Sequence, residues 1–344
     1  MRLASFSTAL AAVLISGALP GTAAAQEGAF QQHCVVADSR LAELSGLASD
    51  GETWYAVGDG GSALRVVELD PADCSVRDVR SADVDPYDVE DLALAADGSL
   101  WLADTGDNKL RRENVALHVL RPSGEVELFR LEYPDGPHDA EALLLDAAGT
   151  PFIVTKEYFG AAGVYRPTEA LDENRAVPLQ RVASLDLPVT NTPGGPIKAG
   201  LGTKTVTGGS VSEDGTLIAI RTYTEVYLYH APDKDVLAAL QRRPARIALP
   251  GELQGEAIAW QPDGSLLSAS EGNQPVRIIP AAADIGRKAA EQQGVPDRQP
   301  VQQEKPAAGA PDSSAGSSAL PLVVAGAVAA LLLVLRRRFR GGNS

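Results

Sequence analysis

Between residues 40 and 280 the chain alternates short apolar runs with glycine turns, and the arrangement recurs. Aligned on the turn glycine, the units read "ELSGLASDGETWYAVGD" at Gly51, "EDLALAADGSLWLADTGD" at Gly98, "EALLLDAAGTPFIVTKE" at Gly149, "TGGSVSEDGTLIAIRTY" at Gly215 and "EAIAWQPDGSLLSASEG" at Gly264. Each is an apolar strand, an Asp-Gly or Ala-Gly turn and a second strand, which predicts a β-hairpin. Most continue into further strand-like runs such as "ALRVVELD", "VALHVLRP" and "EVELFRLEY". The glycines are 47, 51, 66 and 49 residues apart, against the roughly 40 to 50 residues of a four-stranded propeller blade. The fold class expected is therefore all-β: a five-bladed β-propeller over residues 29–281, or a six-bladed one if the insertion "VTNTPGGPIKAGLGTK" (189–204) hides a degenerate blade. The last unit lacks an outer strand, and "AFQQHCVV" (29–36) is expected to supply it by pairing with the strand near Ile278.

The two ends break this pattern. Residues 1–25 combine Arg2, an apolar run and a small-x-small ending at Ala23 and Ala25, the form of a secretory signal peptide. Residues 282–318 are rich in Pro, Ala, Gln and Ser without apolar periodicity and are expected to be a disordered stalk. Residues 319–335 are an unbroken apolar run, followed by Arg336, Arg337, Arg338 and Arg340 in a basic tail, 336–344. At about 1.5 Å per residue this run reaches about 25 Å, close to the span of a bilayer core. Basic flanks face the cytoplasm. The expected localisation is thus a single-pass protein of the cell membrane, with an extracellular propeller, a cytoplasmic tail and the membrane as a partner through its C-terminal helix.

Charge and cysteines sharpen this picture. Removing Arg2 and the four tail arginines takes the formal charge from −15 to −20 on the exported part, a surface that repels nucleic acid and attracts cations. Two cysteines in an exported chain predict one disulfide, Cys34 to Cys74, between the closing strand and the outer strand of the first blade.

In a propeller the start of the inner strand and the end of the second strand lie on one face. Counting back eight from each turn glycine gives Glu43, Glu90, Glu141, Thr207 and Glu256, with Ser45 replacing Glu43 if the first repeat carries a two-residue gap. Counting forward six to ten gives Asp59, Asp104 with Asp107 and Asn108, Lys156 with Glu157, Arg221, and Glu271. These residues are expected to converge on an acidic mouth of the axial channel. An all-oxygen set of Glu90, Glu141, Glu256, Asp104, Asp107 and Asn108 suits a hard divalent ion, Ca²⁺ before Mg²⁺. Without an ion, Lys156, Arg221, Arg111 and Arg112 are the available counter-charges. "DTGDNKLRRENV" fails as an EF-hand, with Gly106 at position 3 and Val115 where a bidentate Glu is required. "GDGGSA" (58–63) leads into a strand and not the helix that a dinucleotide fold needs.

"DVEDLALAADGSLWLADTGDN", "HDAEALLL", "GGSVSEDGTLIAIRTYTEVYLY" and "QGEAIAWQPDGSLLSASEG" resemble the exported actinobacterial propellers grouped with the phytase-like (esterase-like) and gluconolactonase/regucalcin-like proteins. The resemblance implies that a Glu opening an inner strand, at Glu90, Glu141 or Glu256, holds a catalytic divalent ion together with Asn and Asp from other blades. Two functions remain open. One is a module that binds a small-molecule or protein ligand at the mouth. The other is a divalent-metal-dependent hydrolase of lactones, esters or phosphate esters, with Glu or Asp as general base and Lys156 or Arg221 stabilising the anion.

Overall fold

The computed structural model describes residues 30–293 apart from Gly60, Lys198 and Ala199. The expected hairpins form, and at Gly51, Gly98, Gly149, Gly215 and Gly264 the backbone has φ between 71° and 88°, the left-handed region that glycine enters without steric cost. The first sheet holds β2 (Leu44–Ser49), β3 (Trp54–Gly58), β4 (Leu64–Leu69) and β5 (Val76–Ala82). The second holds β6 (Val89–Leu94), β7 (Leu100–Asp104), β8 (Val115–Leu120) and β9 (Val126–Glu132). The third holds β10 (Ala140–Leu145), β11 (Pro151–Thr155), β12 (Ala162–Pro167) and β13 (Val177–Leu185). A short parallel contact of Val177 and Pro178 with Leu131 and Glu132 joins the second and third at their outer strands. The fourth holds β14 (Val206–Val211), β15 (Leu217–Thr222), β16 (Glu225–His230) and β17 (Ala245–Ala248). The last is β18 (Gly255–Trp260), β19 (Leu266–Ser270) and β20 (Pro275–Ile279), completed by β1 (Gln31–Val35).

The first strands of these sheets adjoin one another in a closed cycle: β2 beside β6, then β10, β14, β18 and β2 again. This is a β-propeller. Apolar side chains fill the space between consecutive sheets; Leu144, Phe152 and Val154 meet Ile218, Ile220 and Tyr227 between the third and fourth. Close approach at the axis depends on small residues. A Cβ on Gly46 would lie 2.6 Å from the Leu92 nitrogen, and one on Gly208 would overlap the Glu256 carbonyl oxygen. The ring closes as expected, with Gln31 opposite Ile278.

One boundary differs from expectation. The chain does not leave the fold at residue 281: α2 (Ala282–Gln293), which follows the short helix α1 (Val236–Leu240) in chain order, buries Ala282 and Ala283 against Leu217, Leu228, Trp260 and Ile279. This stretch carries few large apolar residues, and a helix that docks mainly through alanines leaves little apolar period to read. The rest of the expected stalk, the signal segment 1–25, the apolar run 319–335 and the tail 336–344 lie outside the described residues. The expected single-pass membrane localisation is corrected, because no helix among the described residues is long and apolar enough to cross a membrane.

The disulfide joins Cys34 on β1 to Cys74, across 40 residues of sequence. Cys74 sits in the turn before β5, with φ 61°, two residues short of the outer strand on which it was expected. The bond ties the closing strand to the neighbouring sheet. On the chain-entropy treatment, a loop of this length contributes about 4 kcal/mol. Replacing both cysteines by alanine is therefore expected to lower unfolding stability in urea by about that amount, and thiol labelling of the native protein should give no signal.

Candidate axial site

The functional side chains are positioned by one local irregularity that recurs in every inner hairpin. Pairing shifts register between Leu44 and Gly46, Val89 and Asp91, Ala140 and Ala142, Val206 and Gly208, and Gly255 and Ala257. The residues at these bulges are Ser45, Glu90, Glu141, Thr207 and Glu256, all buried. A bulged residue leaves the pairing ladder and is re-aimed. The glycine count found four of the five. In the first repeat the turn glycine comes second in its loop rather than fourth, so the two-residue gap applies, and Ser45 rather than Glu43 takes the bulge.

Two further tiers flank the bulges. Two residues before them stand Glu43, Asp88, Asp139, Thr205 and Gln254; just past the ends of the second strands stand Asp59, Thr105, Lys156, Tyr223 and Glu271. Backbone bonds lock the tiers together: the N–H groups of Asp59, Lys156 and Glu271 donate to the carbonyls of Glu43, Asp139 and Gln254 at 2.8–2.9 Å. Asp88 and Asp139 escaped the sequence count, although the repeated D-x-E of "DVE" (88–90) and "DAE" (139–141) marks both.

At the centre, Glu90, Asp139 and Glu141 each bring a carboxylate oxygen within 4.8 Å of the other two. Lys156 Nζ donates to Glu141 Oε1 and lies 5.4 Å from the centre of the Tyr223 ring. Glu141 Oε2 is buried with no partner among the described residues. Asp139 Oδ1 accepts the Asp107 N–H at 2.8 Å. Gly106 closes over this set, and a Cβ there would overlap Glu90 Oε1 and reach Asp88 Oδ2 at 2.5 Å. Burial, with Glu141 next, pushes Glu90 well above the usual carboxylate range, and the same pair of causes raises Glu256. Burial pushes Glu141 up to about 7 against the pull of Lys156. Asp88 rises to about 6 through burial and Asp139, and Asp59 to about 7 through burial and Glu43. Lys156 opposes its own burial by the charge of Glu141 and stays firmly protonated.

Other expected residues have different tasks. Asp104 is not free to hold an ion. It accepts the N–H groups of Tyr87 and Asp88 at 3.1 and 3.0 Å, Arg112 Nη1 at 2.9 Å and His118 Nε2 at 3.1 Å. Burial alone would raise it, but His118 and Arg112 hold it at about 2. Asp107 Oδ2 takes the N–H groups of Arg111 and Arg112 at 2.6 and 2.7 Å, while its Oδ1 is buried with no partner among the described residues. Asn108 is exposed and stands outside the cluster. Arg221 is not at the mouth: it lies two residues before Tyr223, fully buried, bonding Glu252, Ser268 Oγ and the carbonyls of Ala257 and Ala269. Glu157 is half-buried, 3.6 Å from His138 Nδ1. Glu271 is raised by burial and bonds the Gln254 side chain.

Fold and site together define a β-propeller with buried, under-compensated acids at its axis. No family model and no curated protein matches the chain. Among solved structures it is similar to a gluconolactonase from Xanthomonas campestris, at 14% identity and TM-score 0.40, covering 75% of this chain and 91% of that one. It is also similar to a streptogramin B lyase, at 12% identity and TM-score 0.35, covering 68% of this chain and 64% of that one. A virginiamycin B lyase from Staphylococcus aureus, determined with quinupristin, gives 12% and 0.35, covering 69% of this chain and 66% of that one. The chain spans about two thirds of either lyase. No residue role is carried over from them.

The raised acids have a pH signature. Asp59, Asp88 and Glu141 hold protons in the folded state up to about pH 6–7, whereas in the unfolded chain they release them near pH 4. The folded state thus binds more protons in this window, so stability is full below about pH 4 for these groups and falls as pH rises towards 7. Thermal melts of chelator-treated protein are expected to show a midpoint that decreases from pH 4.5 to 7.5.

Proposed function

We propose that the chain is a five-bladed propeller whose axial mouth holds a hard divalent cation, calcium before magnesium, and uses it to bind a small-molecule or protein ligand. The observation that carries this is the convergence of Glu90, Asp139 and Glu141 within 4.8 Å together with the unpartnered, buried Glu141 Oε2. Oxygen donors alone form the set, which is the ligand chemistry of calcium. An ion there would relieve the repulsion that pushes the acids towards protonation, and its remaining coordination positions would face the ligand. The disulfide supports action in an oxidising compartment.

A second reading, a divalent-metal-dependent hydrolase of lactones or esters, is favoured by Lys156. A cation in the site would polarise a carbonyl oxygen. The Lys156 ammonium, held by Glu141 and the Tyr223 ring, is placed to stabilise a developing anion, and Glu141, pushed up to about 7, has the acidity of a general acid or base at neutral pH.

Calcium is expected to raise the melting midpoint of the protein by about 5–10 °C at a hundred times its dissociation constant, relative to chelator. Glu141→Gln should remove most of that rise while leaving the chelator midpoint nearly unchanged or higher, since it deletes repulsion as well as a ligand. Glu52→Gln, on a turn at the opposite face, serves as the control. Equal midpoints with calcium and with chelator in the parent protein would refute the cation reading. Gly106→Ala should also weaken calcium binding, by forcing Glu90 and Asp88 apart, as read by calorimetric titration.

A further inference from the structure

At the mouth the inner strands start and the second strands end. The loops that join second to third strands, and each sheet to the next, therefore lie on that side of the ring, and the glycine turns lie on the other. The five most exposed large apolar side chains among the described residues, 55–68% exposed, are Tyr87, Leu110, Phe159, Val189 and Leu253. All five stand on mouth-side loops: Tyr87 just before β6, Leu110 between β7 and β8, Phe159 between β11 and β12, Val189 between β13 and β14, and Leu253 between β17 and β18. Apolar side chains scattered singly over a surface need no explanation. Their confinement to one end marks that end as a contact face.

Two of the five are held rigid although exposed. Leu110 takes φ 50°, left-handed backbone that a bulky residue enters only at a cost, and its N–H is fixed on the Asp107 carbonyl at 2.8 Å. The Tyr87 ring lies under the Arg112 guanidinium at 4.6 Å, and Arg112 itself bonds Asp104 and the Gly106 carbonyl, both at 2.9 Å. Immobilised, exposed apolar groups have the form of pre-organised interface anchors. Inside this rim the face is acidic. Glu43, Asp59, Asp88 and Glu271 are exposed or half-buried, and Lys156, whose charge reaches Asp88 and Glu271, is committed to Glu141. An apolar rim round an acidic centre is complementary to a lysine or arginine set among large apolar side chains. The same charge repels a second copy of this face and an anionic lipid surface.

We propose that the mouth face docks a second protein, through a segment that sets one lysine or arginine among large apolar side chains, with Tyr87, Leu110 and Phe159 as the principal contacts. This rests on the reading above that the mouth takes a ligand, narrows that ligand to a protein, and does not require the divalent cation.

The probe is a fluorescein-labelled peptide of about nine residues, about 30 Å when extended, with a central lysine flanked by leucine and phenylalanine. Fluorescence anisotropy at pH 7, with calcium and separately with chelator, is expected to show saturable binding in both. Glutamine in place of the lysine, or serine in place of the flanking residues, should weaken it about tenfold. Phe159→Ser combined with Leu110→Ser should weaken it about as much, at an unchanged melting midpoint because both side chains are exposed. Val76→Ser, at the start of β5 on the opposite side of the ring, should leave binding unchanged. No saturable binding, undiminished binding to the double variant, or equal affinity for either altered peptide would overturn the proposal. So would self-association, or capture on phosphatidylcholine vesicles, that the double variant abolishes, since the occupant would then be a second copy or a lipid surface. Calcium stabilisation without peptide binding sinks this inference alone. Peptide binding with no calcium effect sinks only the cation, and failure of both removes the ligand-binding reading itself.

Discussion

One extra residue in each inner strand governs the chemistry of this propeller. In an undistorted hairpin, successive residues along the inner strand would point alternately to the two faces of the sheet, each packed against a neighbouring sheet, and none would be aimed out of the strand edge towards the axis. The bulge at Ser45, Glu90, Glu141, Thr207 and Glu256 takes one residue per hairpin out of the pairing ladder. It thereby turns the same position of every repeat towards a common centre. Convergence follows from the ring, but its sharpness follows from the bulge. Three of these five positions are glutamates, so the fold itself creates the electrostatic problem that the site must resolve.

The same convergence leaves five strand edges facing the axis, each hydrogen-bonded on one side only. Free N–H and C=O groups on such edges need partners. Asp91 supplies them in the middle of the ring: its carboxylate accepts the N–H groups of Leu92 at 2.8 Å, Leu143 at 2.7 Å and Gly209 at 3.1 Å, joining three inner strands. Thr105 and Thr207 do the same for carbonyls, bonding Ala140 and Gly255 of the next sheets at 2.7 and 2.8 Å. The axis is therefore a packed polar seam below an acidic mouth. A Cβ on Gly46 or Gly208 would wedge that seam open, and for that reason small residues recur there.

Much of this was legible in the sequence because it is carried by spacing. Turn glycines, apolar alternation and the missing outer strand of the last unit are local signals whose sum is the closed ring. Counting from the turn located Glu90, Glu141, Thr207 and Glu256, since the loops of those repeats have equal length. It missed by two residues at Glu43 because Gly51 is the second residue of its loop, whereas Gly98, Gly149, Gly215 and Gly264 are the fourth of theirs. What spacing does not encode is which donor each acid meets across the ring. Asp104 has the same composition and register credentials as a ligand, yet His118 from the neighbouring strand and Arg112 from the following loop consume it. Arg221 reads as a channel cation, yet it lies within β15, two residues before Tyr223, and is drawn between the fourth and fifth sheets by Glu252. Asp91 sits in the middle of an apolar-looking strand, and nothing local distinguishes its structural task from that of Glu90 beside it.

That division explains how so many buried acids are tolerated in one fold. A buried carboxylate is stable when donors or cations answer it, and it titrates upward when they do not. Asp91, Asp104 and Glu252 have donors from within the protein, so they stiffen the ring and hold the mouth open at fixed geometry, although burial still lifts Asp91 well above the usual carboxylate range against its three N–H donors. Glu90, Glu256 and Asp59 lack a dedicated counter-charge, and Glu141 has one for a single oxygen. Stability supplied by the first group carries the repulsion within the second. The second group cannot relax by moving apart, because the bulges and the glycines at the axis fix the strands on which it stands. The remaining routes are protonation or an external cation, and both act at the same few oxygens. The acidity of the mouth is in this sense a property of the closed ring, set by the geometry that closes the fold.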